Sequence, residues 1–323
     1  MAVDLQRMLE MARRDQWQID RDLDWSVKPR ALSRADEIAI VQYFTDMAGI
    51  EELAGALFAV QRDNAKDPTL RSIFQTFVID EERHSRVAER LARHYDVHRY
   101  QTYERNPHLV RFAEHFVKAA KGLAPDIANS YITTGELLLD IALLRSIDDY
   151  VDDEMSHAAM KLINRDESRH IAVDYHMSEY YASPAYEAWL ATQPPRRKRD
   201  RARAATALVG VLFHAQPFFR DVFFGPMELV DADGKRLREA FKRIQLLGLK
   251  TGNTRPFSKF LRSMFDLYNH PRYGRITAPL VTRVMGVPGR VLNHLYTDEE
   301  ERNLANVSYA EMAEDALAAK TLS

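Results

Sequence analysis

The pentapeptide Asp-Glu-x-Arg-His occurs twice, at Asp80-Glu81-Glu82-Arg83-His84 and at Asp166-Glu167-Ser168-Arg169-His170. In an α-helix, a Glu and a His three residues apart stand on one face, a turn apart. Both copies sit within apolar stretches, where an unpaired Glu or His would be costly to bury. Two such pairs turned toward one another would neutralise their charges around metal ions, since carboxylates and imidazoles suit hard and borderline divalent metals. The repeat therefore calls for helices that face each other. It marks Glu81, His84, Glu167 and His170 as candidate metal ligands.

Composition agrees with helices. The 323 residues include only 12 Gly and 13 Pro, while Leu, Ala, Arg, Glu and Met are plentiful, so an all-α fold is expected. A net charge of −2 argues against a general nucleic-acid binder. No apolar run reads as a membrane span; the most apolar stretch, 204–227, contains His214, Gln216, Arg220 and Asp221 and reads as a buried helix. The N-terminus lacks a signal-peptide pattern, and a cytoplasmic protein is expected. The chain has no cysteine, which excludes disulfides, cysteine-ligated zinc and all-cysteine iron–sulfur clusters. Nor is there a Gly-x-Gly-x-x-Gly fingerprint. Electrons for any redox reaction would come from a partner or the substrate.

Along the chain, residues 1–30 form a charged arm with Trp17 and Trp25, expected to wrap on the body. A core of four helices is expected within 31–185. Ser33 begins a first helix running to about Gln61; a second runs from Pro68 to Tyr95 and a long one from Asp126 to Tyr150. The second repeat lies on a helix from Asp152 to Tyr181, and a shorter helix covers His108 to Lys121. Residues 186–203 read as a basic linker, and 204–323 as further helices at 204–224, 233–249, 255–268 and 275–296 with a tail after Tyr309. The whole reads as one domain. The C-terminal part is expected to cover the core, wall a cavity or make a homodimer interface.

A site for two metals in a helical core takes four carboxylates and two histidines from four helices. Glu136, in Thr133-Thr134-Gly135-Glu136-Leu137-Leu138-Leu139, is the acid with a strongly apolar setting on the third, and precedes Glu167 by 31 residues. On the first helix the candidates are the neighbours Glu51 and Glu52. Glu51 shares a face with Phe44, Met47, Ala54 and Phe58 and precedes Glu81 by 30, which favours it; Glu52 shares its face with Thr45, Ala48 and Ala56. Asp80 and Asp166 are placed to take the second N–H of a ligating histidine, with Arg83 and Arg169 pairing to them one turn on. Asp140 and Asp174 face inward by phase, as proton relays, extra ligands or supporting acids. Phe44, Phe58, Phe77 and Leu139 are candidates for a cavity lining.

These residues resemble the ferritin-like dimetal-carboxylate superfamily over roughly residues 35–182. The motif form is most similar to bacterial multicomponent monooxygenase hydroxylases and acyl-carrier-protein desaturases. The resemblance implies a ferritin-like four-helix bundle with additional C-terminal helices. Its ligands would be Glu51, Glu81, His84, Glu136, Glu167 and His170, holding two iron ions or a manganese/iron pair. It implies a non-haem di-iron oxygenase or oxidase that uses dioxygen to hydroxylate, desaturate or N-oxygenate a small organic or acyl substrate. An external reductase or ferredoxin would supply electrons, and an acidic carrier protein could dock on the basic run. A ferroxidase, or a Mn/Fe ligand-binding oxidase, is the alternative. At positions where p-aminobenzoate N-oxygenases carry a further His ligand and ribonucleotide reductase small subunits a radical Tyr, this chain has Ile163 and Ala88. Where monooxygenase hydroxylases carry a Thr it has Asp140.

Overall fold

Local chemistry sets the helix starts. Ser33 accepts a hydrogen bond from the Asp36 amide, Asp67 from Leu70, Asn106 from His108 and Asp153 from Ser156, so each caps exposed N–H groups of a first turn. Pro68 and Pro107 stand just inside two of these starts, where the missing N–H costs nothing. In the computed structural model, which describes residues 3–194, 197–249, 256–285 and 287–318, the described residues form helices and no strand. Besides the short helices Ile19–Asp22 and Gly225–Val230, the helices are α1 (Leu5–Arg14), α2 (Arg34–Asn64), α3 (Pro68–Tyr95), α4 (Pro107–Gly122), α5 (Pro125–Val151), α6 (Glu154–Ala182) and α7 (Pro184–Ala191). There follow α8 (Lys198–Phe218), α9 (Lys235–Leu249), α10 (Pro256–Tyr268), α11 (Gly274–Met285), α12 (Asp298–Ala305) and α13 (Tyr309–Ala318).

Helix α2 is buried on nearly every face from Ile40 to Gln61, which makes it the centre of the packing. It packs most extensively on α3 and also meets α4 and α5, while α6 lies against both α3 and α5. Gly55 permits the close approach beside the first repeat: a Cβ there would come within 3.1 Å of the Glu81 Cβ. Phe58, Phe74 and Phe77 interlock between α2 and α3 with ring centroids 5.2–6.3 Å apart. Burying each such ring contributes about 1.5–3 kcal/mol. Between α5 and α6 the chain reverses at Asp152, whose φ of 48° lies in the left-handed region.

The structure departs from the expected elements in several places. Helix α5 is long and apolar enough by length and composition to cross a membrane, contrary to the sequence reading, but 73% of that stretch is buried within the protein, as in a core helix. It is also irregular, widening into π-helical turns over Leu138–Leu144, directly after Glu136. The basic run is only partly a linker, because Lys198 already begins α8; Pro195 and Arg196 lie outside the described residues. The helix expected over 275–296 stops at Met285, and the tail after Tyr309 is helical, started by a reciprocal pair in which Ser308 and Glu311 bond each other's amides.

The C-terminal helices pack directly on the helices of the N-terminal part, one of them on the helix that bears the second repeat. Helix α13 lies on α6, α9 lies on the widened turns of α5, and α8 lies along α4.

Candidate metal centre

Four helices converge on one buried cluster. Glu51 comes from α2, Glu81 and His84 from α3, Glu136 from α5, and Glu167 and His170 from α6; none exceeds 3% exposure. They form two overlapping groups, Glu51–Glu81–His84–Glu167 and Glu81–Glu136–Glu167–His170, each with one ligand atom per residue within 4.8 Å of the others. Glu81 and Glu167 belong to both groups. Glu167 Oε1 lies 3.1 Å from His84 Nδ1 and its Oε2 3.2 Å from His170 Nδ1; Glu81 reaches the same two nitrogens at 3.7 and 3.1 Å. Of the two adjacent first-helix candidates, Glu51 enters the cluster. Glu52 points outward and pairs with Arg105 at 2.5 Å.

The donor set fits two divalent cations. Four ionised glutamates with two neutral imidazoles balance two doubly positive ions. Both oxygens of Glu51 and of Glu81, with Glu136 Oε2, Glu167 Oε1 and His84 Nδ1, are buried with no hydrogen-bond partner, a concentration of unsatisfied donor atoms that bound cations would compensate.

Protonation responds to this crowding. Burial, reinforced by Glu81 and Glu167, holds the Glu51 carboxyl well above its usual range, and burial with Glu167 and Glu81 does the same to Glu136. Burial alone would lower His84, but its contacts with Asp166, Glu167 and Glu81 hold it well above the usual imidazole value. For His170 burial is likewise outweighed, by Glu167, Asp80 and Glu81. Glu167 is the exception, kept low against burial by the two imidazoles. Metal binding at these atoms must therefore displace protons.

Behind the imidazoles lies a second layer in which the two repeats exchange partners. His84 Nε2 is 3.2 Å from Asp166 of the second repeat, and His170 Nε2 is 3.5 Å from Asp80 of the first. In a metal-loaded site, an Nε2–H kept toward these carboxylates would leave Nδ1 as the lone pair facing the glutamates. Arg83 pairs with Asp80 and also reaches Asp166 at 3.0 Å; Arg169 donates to Asp166 at 2.5 Å and lies 3.6 Å from Asp80. The N-terminal arm completes this layer, a role its sequence did not disclose. Trp17 Nε1 donates to Asp166 at 2.7 Å and Gln16 to Asp80 at 3.1 Å, while Arg83 lies over the Trp17 ring. The expected effect of Asp166→Asn is a loss of about 10–100-fold in metal affinity, greatest for the ion beside Glu51 and His84, measured by competition with a chelator. Unchanged affinity would remove Asp166 from the site.

Asp174 is fully buried one turn beyond His170. Burial pushes its carboxyl up to about 8, with Gln61 and Thr133 near enough to oppose the shift. The side chain of Asp140 lies outside the described residues. Phe58 and Phe77 press on the His170 ring at 5.0 and 4.1 Å, and Phe44 stacks on Tyr95 at 5.6 Å. None of these three lines the apolar cavity described next, in contrast to the expectation, because they pack into the α2–α3 interface.

An apolar cavity of about 200 Å³ lies instead on the opposite side of α2, between α2, α4 and α5 and the C-terminal helices. Its wall includes Leu57, Phe112, Leu139, Phe218 and Phe241, and among the described residues Glu136 is the one ionisable side chain in it. No residue of α3 or α6 contributes to it. Gly135 also borders it, and a Cβ there would meet nothing within 4 Å. The cavity thus ends on a residue of the cluster.

No known family's sequence profile matches the chain, and no curated protein matches it significantly in sequence. The site's own chemistry has to carry the functional reading.

Proposed function

We propose that the chain is a dimetal-carboxylate oxygenase or oxidase built on a ferritin-like four-helix core of α2, α3, α5 and α6. The observation that carries this reading is the pair of overlapping Glu/His groups, sharing Glu81 and Glu167, with Glu136 forming both part of the cluster and part of an apolar cavity wall. In this reading Glu51 and His84 would hold one ion and Glu136 and His170 the other, with Glu81 and Glu167 available to both. Two iron ions, or manganese and iron, would supply dioxygen activation, which amino-acid side chains alone do not provide.

The chain's own residues do the rest. Asp166 and Asp80 orient the imidazoles, and Arg169 and Arg83 help His84 to hold the Asp166 carboxyl below its usual range inside the protein. The cavity excludes water and holds an apolar substrate against the Glu136 side of the centre. Asp174, its carboxyl pushed up by burial, would be placed one turn from His170 to hold a proton. Electrons come from a separate donor, since the chain lacks cysteine for a cluster of its own.

The ferroxidase alternative leaves this cavity without a purpose. The deciding experiment is anaerobic loading with ferrous iron, then mixing with oxygen while absorbance is followed. A transient band whose decay accelerates with a medium-chain acyl or hydrocarbon substrate supports the oxygenase; direct formation of ferric mineral, indifferent to such compounds, sinks it. Gly135→Leu, which fills the cavity, is expected to abolish the substrate effect at least tenfold in rate while two metals per chain remain bound.

A further inference from the structure

Two helices of the C-terminal part turn apolar side chains toward solvent. On α8 these are Val209, Leu212 and Phe213, the last 76% exposed; on α11 and the turn before it they are Tyr273, Ile276 and Leu280, with Ile276 77% exposed. Spacings of three and four residues place each set in one stripe, and the two helices pack against each other. Single exposed apolar residues are ordinary, but neighbouring stripes mark a contact surface. Leu212 is 56% exposed and also lines the cavity, so the stripe and the cavity wall meet at one side chain.

Charge indicates what covers this face. From Arg201 to Arg220 the chain has no acid, and from His270 to Tyr296 it has Arg272, Arg275, Arg283 and Arg290 and again no acid, although the whole chain is net negative. Arg203, Arg272, Arg275 and Arg283 are exposed. At the margins, Glu114 of α4 is paired with Arg111, and Asp266 of α10 is exposed. A second copy docking two-fold on this face would bring the same arginines together, which disfavours self-association there. Apolar side chains rimmed by arginine are instead the pattern of a helix lying in a lipid headgroup layer.

We propose that this α8–α11 face seats on an anionic lipid surface, with Phe213, Ile276 and Leu280 entering the acyl boundary and Arg272, Arg275 and Arg283 meeting phosphates. Apolar ligands then reach the cavity from the bilayer past Leu212. The docking does not depend on the metal assignment, and its test needs no turnover. The full chain is sedimented with vesicles of phosphatidylglycerol and phosphatidylcholine, with phosphatidylcholine alone, and at raised salt. The expected result is binding to the anionic vesicles that weakens with salt and falls about tenfold or more in Phe213→Asp/Ile276→Asp. Arg272→Ala/Arg275→Ala/Arg283→Ala, which leaves the apolar stripe intact, is expected to lose the preference for anionic vesicles. Absence of vesicle binding overturns the proposal. So does binding that neither double nor triple variant reduces, or a dimer in sedimentation velocity that Phe213→Asp dissolves.

Discussion

Glu136→Ala is expected to lower bound metal from two ions per chain to one or none, and to abolish oxygen-dependent activity with it. Glu136 sits where three constraints meet: it is buried, it lies 3.9 Å from His170 Nδ1, and it faces the cavity. Removing it leaves one ion with an incomplete set of donors, for a loss in affinity of at least about 100-fold, more than typical for a supporting residue. The sign of the stability effect separates a ligand from a structural acid. Without metal, Glu136 crowds Glu81 and Glu167 in a dry interior, so Glu136→Gln, which keeps its volume, is expected to leave the metal-free fold unchanged or about 1 kcal/mol more stable. With metal, the same change should destabilise. His170→Ala is expected to repeat the metal loss. Two metals per chain retained in both variants, measured by plasma emission spectrometry, would end the assignment.

Metal loading should also raise thermal stability strongly. An ion present at about a thousand times its dissociation constant stabilises by roughly 4 kcal/mol per site. Two sites should therefore raise Tm by about 10 °C or more for a chain of this size, reversed by chelator. The pH dependence has a definite direction. His84, His170, Glu51 and Glu136 hold protons more tightly folded than unfolded, so they stabilise the metal-free protein at low pH, and that contribution is lost as pH rises. Metal competes with those same protons. The gain in Tm on loading should therefore grow with pH, and loading in weak buffer should acidify the solution. A Tm indifferent to manganese or ferrous iron, with no proton release, would mean that the cluster is not a metal site.

Much of the arrangement could be read from the chain because helices turn spacing into geometry. Glu-x-x-His fixed which side chains share a face, and the matched distances to Glu51 and Glu136 pointed to the residues that the structure brings into one cluster. The capping signal at Ser33 and the break at Asp67-Pro68 placed two of the helix starts. What escaped were features that spacing does not encode. The partner exchange between Asp80 and His170, and between Asp166 and His84, depends on how α3 and α6 face each other. Trp17 reaches Asp166 from 149 residues away in sequence. The widened turns after Glu136 break the period on which the inward phase of Asp140 was based. The cavity is formed by helices distant in sequence, so the aromatic residues nearest the motif were not its wall.

The cavity and the aspartate–arginine layer lie on opposite sides of the cluster, one bounded by α2, α4 and α5, the other held by α3, α6 and the N-terminal arm. Traffic through the centre is thereby divided. Under the proposed function an apolar substrate would meet the cluster from the cavity side, while the polar side chains Asp166, Arg83 and Trp17 stand on the other. Substitutions in the C-terminal helices can therefore reshape the cavity without touching the aspartates behind His84 and His170.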